Sequence, residues 1–218
     1  GTPAKIAREI RDTVAATAVT VITVGGSEKR GVNSPSLYAD WAVLDAELTL
    51  TLPRHVTAAT GIDAMVHAIE AYTSARLKNP MSDMFARKAL RMISENLLIA
   101  CDQPDDLEAR GKMLQAAHLA GVAFDNAPVA GVHALAYPLG GHFHVPHGLS
   151  NALMLTHVLG HNMEAARPLY AELGAMLDPT VHDIGQQGQA QAFVQHLARL
   201  SRAAGVPQRL SAVGIGPE

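Results

Sequence analysis

The 218 residues carry 17 lysine and arginine side chains against 20 aspartate and glutamate side chains, a net charge of −3, and 48% of them are hydrophobic. This composition excludes a predominantly disordered chain, and the absence of a basic excess argues against a nucleic-acid partner. The one cysteine, Cys101, cannot form an internal disulfide and is typical of a reducing compartment. The chain shows no leader-like opening and no apolar segment long enough to span a bilayer, so we expect a cytoplasmic protein without membrane contact.

Residues 1–52 have a mixed pattern in which short strands predominate. A helix is predicted over 3–11, and segments with strand-like patterns follow at 17–24, 30–33 and 41–45. Gly25-Gly26 ends the first of these segments and is interpreted as a turn, because no helical pattern opens behind it as a phosphate-binding loop would require. Three short strands make a poor independent sheet, so this region is expected to belong to a larger unit.

From residue 53 onward the pattern is helical almost throughout. Ser82 is the expected N-cap of the second helix, and Pro138 is expected to end the fourth. The helix over 105–124 is rich in small residues and is expected at the centre of a bundle. Helices are predicted over 57–74, from 80 onward, and over 105–124, 131–137, 148–158, 162–176 and 189–204.

Two segments contain candidate metal ligands. Asp63 and His67 are four residues apart, so on a helix they lie on one face, where they could share an ion or merely form a hydrogen bond at a solvated surface. Glu70, one turn after His67, could support the metal ligands from behind or be exposed. The second segment has four histidines within fifteen residues around a Pro-Leu-Gly-Gly break, which could converge on a metal or be satisfied separately in a loop: His133, His142, His144 and His147. A set of three histidines and one aspartate suits Fe(II) or Zn(II), and a catalytic site of this kind leaves a position for a substrate oxygen.

The segments 44–61, 61–72 and 133–151 together resemble the iron-containing (group III) alcohol dehydrogenase family, and the resemblance extends over roughly residues 16–218. It implies a mainly α fold, a helical bundle like the C-terminal domain of dehydroquinate synthase, over residues 53–218. The strands in residues 1–52 would be a remnant of the family's α/β dinucleotide-binding domain. The implied activity is hydride transfer between a small alcohol or aldehyde and NAD(P), in a protein that forms homo-oligomers, dimers in particular.

The resemblance also assigns residues. Asp63, His67, His133 and His147 match the family's ligands for Fe(II) or Zn(II). Tyr137 stands where some members have a further active-site histidine, and its hydroxyl could hydrogen-bond substrate or cofactor. Lys29 lies near a lysine that contacts the dinucleotide in relatives. Two histidines, His142 and His144, match no family ligand and are expected in a loop that lines the cleft, whereas Asn151 could support the ligands or cap a helix.

The family's two Gly-rich dinucleotide loops are not found in the 218 residues. We therefore expect the metal-binding half of a longer dehydrogenase, or a truncated product of its gene. The alternative is a non-catalytic, metal-binding helical domain, because a dinucleotide without those loops would lose most of its anchoring. A zinc glycerol dehydrogenase or a dehydroquinate synthase type of enzyme is a third interpretation, which the segment 133–147 matches less well.

Overall fold

The computed structural model describes residues 19–24, 28–33 and 41–216. Two strands, β1 (Val19–Val24) and β2 (Glu28–Asn33), pair antiparallel, with Val19 opposite Asn33 and Val24 opposite Glu28. They overlap the first two segments for which strands were predicted. The predicted helix over 3–11 and the Gly25-Gly26 turn lie outside the described residues.

The prediction of a third strand over 41–45 is wrong. These residues have no regular structure, and Trp41 is 86% exposed. Among the described residues no strand lies beside them to accept a ladder of backbone hydrogen bonds, which a strand requires. Asp45 instead accepts a hydrogen bond from the backbone N–H of Glu47 (3.0 Å) and so begins a short 3₁₀ helix, Ala46–Thr49.

The mainly α fold is confirmed, since helices make up most of residues 41–216. None of the described helices is both long and apolar enough to cross a membrane. Two further 3₁₀ helices, Pro179–Ile184 and Leu210–Val213, flank the last α-helix. In chain order the α-helices are α1 (Arg54–Tyr72), α2 (Pro80–Asp102), α3 (Leu107–Asn126), α4 (Gly131–His142), α5 (His147–His161), α6 (Arg167–Leu177) and α7 (Gly185–Ala203).

Helix α1 takes the central place that we expected of the helix over 105–124. Every residue from Gly61 to Tyr72 is buried, and α1 packs against α2, α3, α4 and α5. Its apolar side chains belong to one continuous core that includes Leu90 and Ile93 of α2 and reaches Phe193 of α7. A helix that is buried on all sides has no polar face, so the few polar groups it carries must find partners inside the protein.

Two helix ends differ from the sequence-based expectation for identifiable reasons. Asn79, not Ser82, is the N-cap of α2: its side chain accepts hydrogen bonds from the backbone of Met81 and Ser82, and the Ser82 hydroxyl accepts one from the backbone N–H of Asn79. This reciprocal pair is a capping box, with Pro80 at the first helical position, where it is best tolerated.

Pro138 does not end α4, which continues to His142. A proline in a helix deprives the carbonyl four residues earlier of its N–H partner. That carbonyl belongs to Ala134, and both Ala134 and Pro138 are exposed, so water can satisfy it. The break between α4 and α5 therefore lies at residues 143–146.

A close contact between α5 and α1 places the start of α5 beside the middle of α1. A Cβ atom at Gly148 would lie only 2.9 Å from the carbonyl oxygen of Ala59. Glycine is the residue that allows the two backbones to approach so closely. His147, the first residue of α5, is thereby held next to α1.

Candidate metal centre

Helix α1 contributes three polar side chains on one buried face. Asp63, His67 and Glu70 follow each other at spacings of four and three residues, which places them one above the other on the helix. Their exposed fractions are only 5%, 6% and 3%. A hydrogen bond between Asp63 and His67 at a solvated surface, the alternative considered above, is therefore ruled out.

The other two ligand candidates come from the ends of α4 and α5 that face α1. His133 lies in the first turn of α4 and is 2% exposed, and His147 is the first residue of α5 and is partly exposed. The helix–break–helix arrangement expected from the sequence thus turns two histidines, fourteen residues apart, toward one point.

The four side chains converge on one small volume. One ligand atom from each of Asp63, His67, His133 and His147 lies within 4.8 Å of all the others. The Nε2 atoms of His67 and His133 are 3.8 Å and 3.7 Å from Oδ1 of Asp63, and Nε2 of His147 is 3.8 Å from Oδ2. These separations exceed hydrogen-bond distances.

The rings of the three histidines are fixed by aromatic packing. The His67 ring lies between Phe124 and His133, with centroid distances of 5.0 Å and 4.9 Å and nearly parallel planes. The Tyr137 ring, one turn after His133 on α4, stacks on His147 at 6.1 Å. This packing fixes the direction of each imidazole, so that the Nε2 atoms remain pointed at the same small volume.

Two further polar side chains hold the candidate ligands from behind. Glu70 accepts a hydrogen bond from Nδ1 of His133 at 2.7 Å, which resolves the question left open for this residue. The amide nitrogen of Asn151 donates to Oδ1 of Asp63 at 2.5 Å and lies 3.2 Å from Nε2 of His147. Asn151 therefore supports the candidate ligands and does not act as a helix cap.

The electrostatics favour a neutral His67 beside a charged Asp63. Burial by itself would raise the pKa of Asp63, but the surrounding imidazoles and the Asn151 amide outweigh it and lower the pKa below its ordinary value. Burial lowers the pKa of His67 to about 4, so this ring is neutral at neutral pH and offers a free lone pair. Burial, with a smaller effect of Glu70 and Asp63, raises the pKa of Tyr137, so that its hydroxyl remains a hydrogen-bond donor.

The residues fit a divalent metal ion. Four ligands about 2.0–2.2 Å from one tetrahedral ion are themselves about 3.3–3.6 Å apart, close to the 3.7–3.8 Å between Asp63 and each of the three histidines. Nε2 of His133 is buried and has no hydrogen-bond partner among the described residues. Neither Asp63 nor Glu70 forms an ion pair with a lysine or arginine in the described part of the chain, and a divalent cation would balance these two buried carboxylates. Histidine with one carboxylate is a donor set that Fe(II) and Zn(II) both accept.

The remaining candidates lie outside this cluster. His142 and His144 are both exposed. His142 is the last residue of α4, so the expectation that it lies in a loop is wrong, whereas His144 lies in the following loop and has a left-handed backbone (φ 56°). Lys29 lies in β2 opposite Thr23. Its contact with a dinucleotide stays a prediction.

One contributor to the site was not anticipated from the sequence. Phe124, the residue that stacks on His67, lies at the end of α3, and nothing in its local pattern links it to α1. Glu70, by contrast, could be predicted to lie beside the site, because residues 63, 67 and 70 form a continuous helical face.

Comparison with known proteins places this geometry in a family. A family model described as "Fe-containing alcohol dehydrogenase family, C-terminal" matches residues 57–218. Long-chain-alcohol dehydrogenase 1 of Geobacillus thermodenitrificans is 43% identical over 179 residues, which are 82% of this chain and 45% of that protein. A 1,3-propanediol dehydrogenase of Citrobacter freundii is 38% identical over 183 residues, 84% of this chain and 46% of the relative.

Solved structures agree with the sequence matches. A crystal structure of a 1,3-propanediol oxidoreductase superposes on this chain with a TM-score of 0.87 at 35% sequence identity. The superposition covers 93% of this chain and 54% of that chain. An alcohol dehydrogenase from Oenococcus oeni also gives a TM-score of 0.87, at 33% identity, over 92% of this chain and 52% of that one. The chain spans about half the length of the curated relatives it matches. The chain therefore belongs to the iron-containing alcohol dehydrogenase family and corresponds to its C-terminal, helical part.

Proposed function

We propose that this chain supplies the metal site of an alcohol dehydrogenase that transfers hydride between a small alcohol or aldehyde and NAD(P). The observation that carries the proposal is the convergence of one aspartate and three histidines within 4.8 Å at a buried point. Membership of the iron-containing alcohol dehydrogenase family supports the same reaction class.

Asp63, His67, His133 and His147 would hold Fe(II) or Zn(II). The three imidazoles would bind through Nε2, and the Asp63 carboxylate would contribute the negative charge. When bound, the metal supplies Lewis acidity toward the oxygen of an alcohol or a carbonyl group. Asp63, His67 and His133 are almost wholly buried, which keeps water away from their side of the site, whereas His147 is partly exposed and marks the side from which a substrate can enter.

Tyr137 would act on the substrate side of the site. Its ring lies against His147 and faces the edge of His133, and its hydroxyl remains protonated at neutral pH. A protonated phenol in this place can donate a hydrogen bond to a substrate oxygen or to the cofactor. It takes the place of a histidine in some relatives, so a proton relay through histidine at this position is not proposed.

The wider assignments follow from the resemblance. Lys29 would contact the dinucleotide, and the partners would be a small alcohol or aldehyde and a second copy of the chain in a homodimer. The lone buried cysteine, Cys101, is in keeping with a cytoplasmic location. Light scattering on the purified protein tests the dimer directly.

Alcohol oxidation by the full-length gene product, purified and loaded anaerobically with Fe(II) or Zn(II), tests the proposed function. We expect a metal-dependent increase in reduced nicotinamide with NAD or NADP, abolished in Asp63→Asn, because an amide cannot supply the anionic ligand. His144→Asn is the matched control, since it changes an exposed histidine of the same segment and asparagine tolerates a left-handed backbone. Bound metal without oxidation of any alcohol with either dinucleotide would favour the non-catalytic metal-binding domain.

A further inference from the structure

Glu70 makes three hydrogen bonds to a single segment of α4. Its Oε2 atom accepts from the backbone N–H of Ala130 at 2.8 Å and from Nδ1 of His133 at 2.7 Å, and its Oε1 atom accepts from the backbone N–H of Val132 at 2.6 Å. The carboxylate is 3% exposed. Both oxygens of this side chain therefore accept hydrogen bonds, and all three donors lie within four residues of the chain.

The bond to His133 determines which ring nitrogen carries the proton. An ionised carboxylate only accepts hydrogen bonds, so Nδ1 of His133 must be the protonated nitrogen. In the neutral ring, the form that can bind a metal, Nε2 then has the lone pair. Nε2 is also the atom that lies 3.7 Å from Asp63 and has no hydrogen-bond partner among the described residues. The opposite tautomer would bring a lone pair at Nδ1 against the carboxylate and a proton into the ligand cluster.

The two backbone bonds determine where the His133 ring stands. Helix α4 begins at Gly131, and no side chain at its N-cap, Ala130, satisfies the free N–H groups of the first turn. Glu70 satisfies two of these groups from the neighbouring helix, and its negative charge is favourable at a helix N-terminus. His133 belongs to this first turn, so its distance from α1 depends on the same carboxylate.

We propose that Glu70 is a positioning residue for the metal site, which holds His133 in the Nδ1–H tautomer and fixes the start of α4 against α1. This inference rests on the proposed metal site, but it concerns a residue that is not a ligand. Carboxylates that bind the second nitrogen of a ligating histidine change metal affinity by roughly 10–100-fold when they are removed.

The first test identifies the protonated ring nitrogen of His133 in metal-free protein from long-range ¹⁵N–¹H correlation spectra of labelled histidines. The signals that are missing from the spectrum of His133→Gln belong to His133. We expect protonated Nδ1 and unprotonated Nε2 in the wild type. The spectra are recorded at a pH high enough for the ring to be neutral, and a ring with protonated Nε2 and unprotonated Nδ1 would overturn the proposal. Because this measurement uses the wild type without metal, it decides the question even if variants of Glu70 do not fold.

The second test is the isosteric variant Glu70→Gln, in which an amide N–H₂ must face one of the three donors. We expect the single tautomer to be lost and the dissociation constant for Zn(II), measured by competition with a chelator, to rise roughly 10–100-fold. Glu172→Gln, which changes a carboxylate that bonds only to the Tyr72 hydroxyl among the described contacts, is the matched control and should change neither.

Leu197→Ala distinguishes a general loss of stability from a specific effect on the metal site. This substitution opens a cavity in the core at a buried residue of α7. This variant should lower the stability of the fold but keep the wild-type affinity for Zn(II). Wild-type affinity and tautomer in Glu70→Gln would overturn the inference alone. Failure of the wild type to bind Fe(II) or Zn(II) would instead contradict the proposed function.

Discussion

Gly148→Ala tests whether the close contact between α5 and α1 positions His147. The new methyl group would lie 2.9 Å from the carbonyl oxygen of Ala59 and 3.1 Å from its carbon, and an ordinary contact begins at 3.4 Å. Both atoms belong to the backbone of α1, so no side chain can rotate away. The two helices must therefore separate by about half an ångström.

Two effects of this substitution on stability oppose each other. Overpacking costs about 1–3 kcal/mol, whereas alanine in place of a helical glycine contributes about 0.5–1 kcal/mol. The net loss in the free energy of unfolding should be about 0–2.5 kcal/mol, so the protein still folds. The metal site is more sensitive, because ligands must be held within about 0.5 Å of their productive geometry. We expect the affinity for Zn(II) to fall at least about tenfold, which corresponds to about 1.4 kcal/mol.

Competition titration with a chelator, combined with urea unfolding of the metal-free protein, measures both quantities. Gly160→Ala is the matched control: it is the same change on the same helix, but its Cβ would have no atom within 4 Å. It should leave metal affinity unchanged and stabilise the fold slightly. Equal metal affinities for both variants and the wild type would refute the idea that Gly148 sets the position of His147.

Two further predictions concern His67 and Tyr137. In metal-free protein, burial lowers the pKa of His67 to about 4 against an ordinary value of 6.5, so its contribution to stability is present above pH 6.5 and is lost as the pH falls from 6.5 to 4. This loss in the free energy of unfolding amounts to about 3 kcal/mol. Urea unfolding at several pH values should show it in the wild type, and His67→Gln should show a correspondingly weaker dependence on pH. The same pH dependence in both proteins would contradict the lowered pKa of His67. Tyr137→Phe keeps the ring on His147 but removes the hydroxyl. Metal content should remain, and kcat/KM for alcohol oxidation should fall roughly tenfold, because a lost hydrogen bond costs about 1–1.5 kcal/mol. Unchanged kcat/KM in Tyr137→Phe would remove Tyr137 from the reaction.

The helical part of the fold was predictable because its helices are long and regularly patterned. The errors occurred where one residue had to be judged without its surroundings. Pro138 is tolerated within α4 because it and Ala134 face solvent. The sequence alone does not reveal which side of this helix faces solvent. The segment 41–45 has a strand-like composition but no neighbouring strand in the described part of the chain, so its backbone has no ladder to join.

The candidate site was predictable to different degrees. Asp63 and His67 follow from helical spacing. The density of histidines indicated the segment 133–147, and the resemblance matched His133 and His147 to ligands. The partners of these residues depend on how helices pack, which spacing alone does not determine. Asn151 reaches Asp63 across 88 residues and Glu70 reaches His133 across 63, so their roles become visible only when α1, α4 and α5 are placed side by side.

The most direct test of the metal site is metal content, measured by mass spectrometry on anaerobically purified wild type, Asp63→Asn, His147→Ala and His144→Asn. We predict close to one equivalent of iron or zinc per chain in the wild type and in His144→Asn, and almost none in the two ligand variants. A wild type without metal, or metal retained in both ligand variants, would contradict the assignment of Asp63, His67, His133 and His147 as one site.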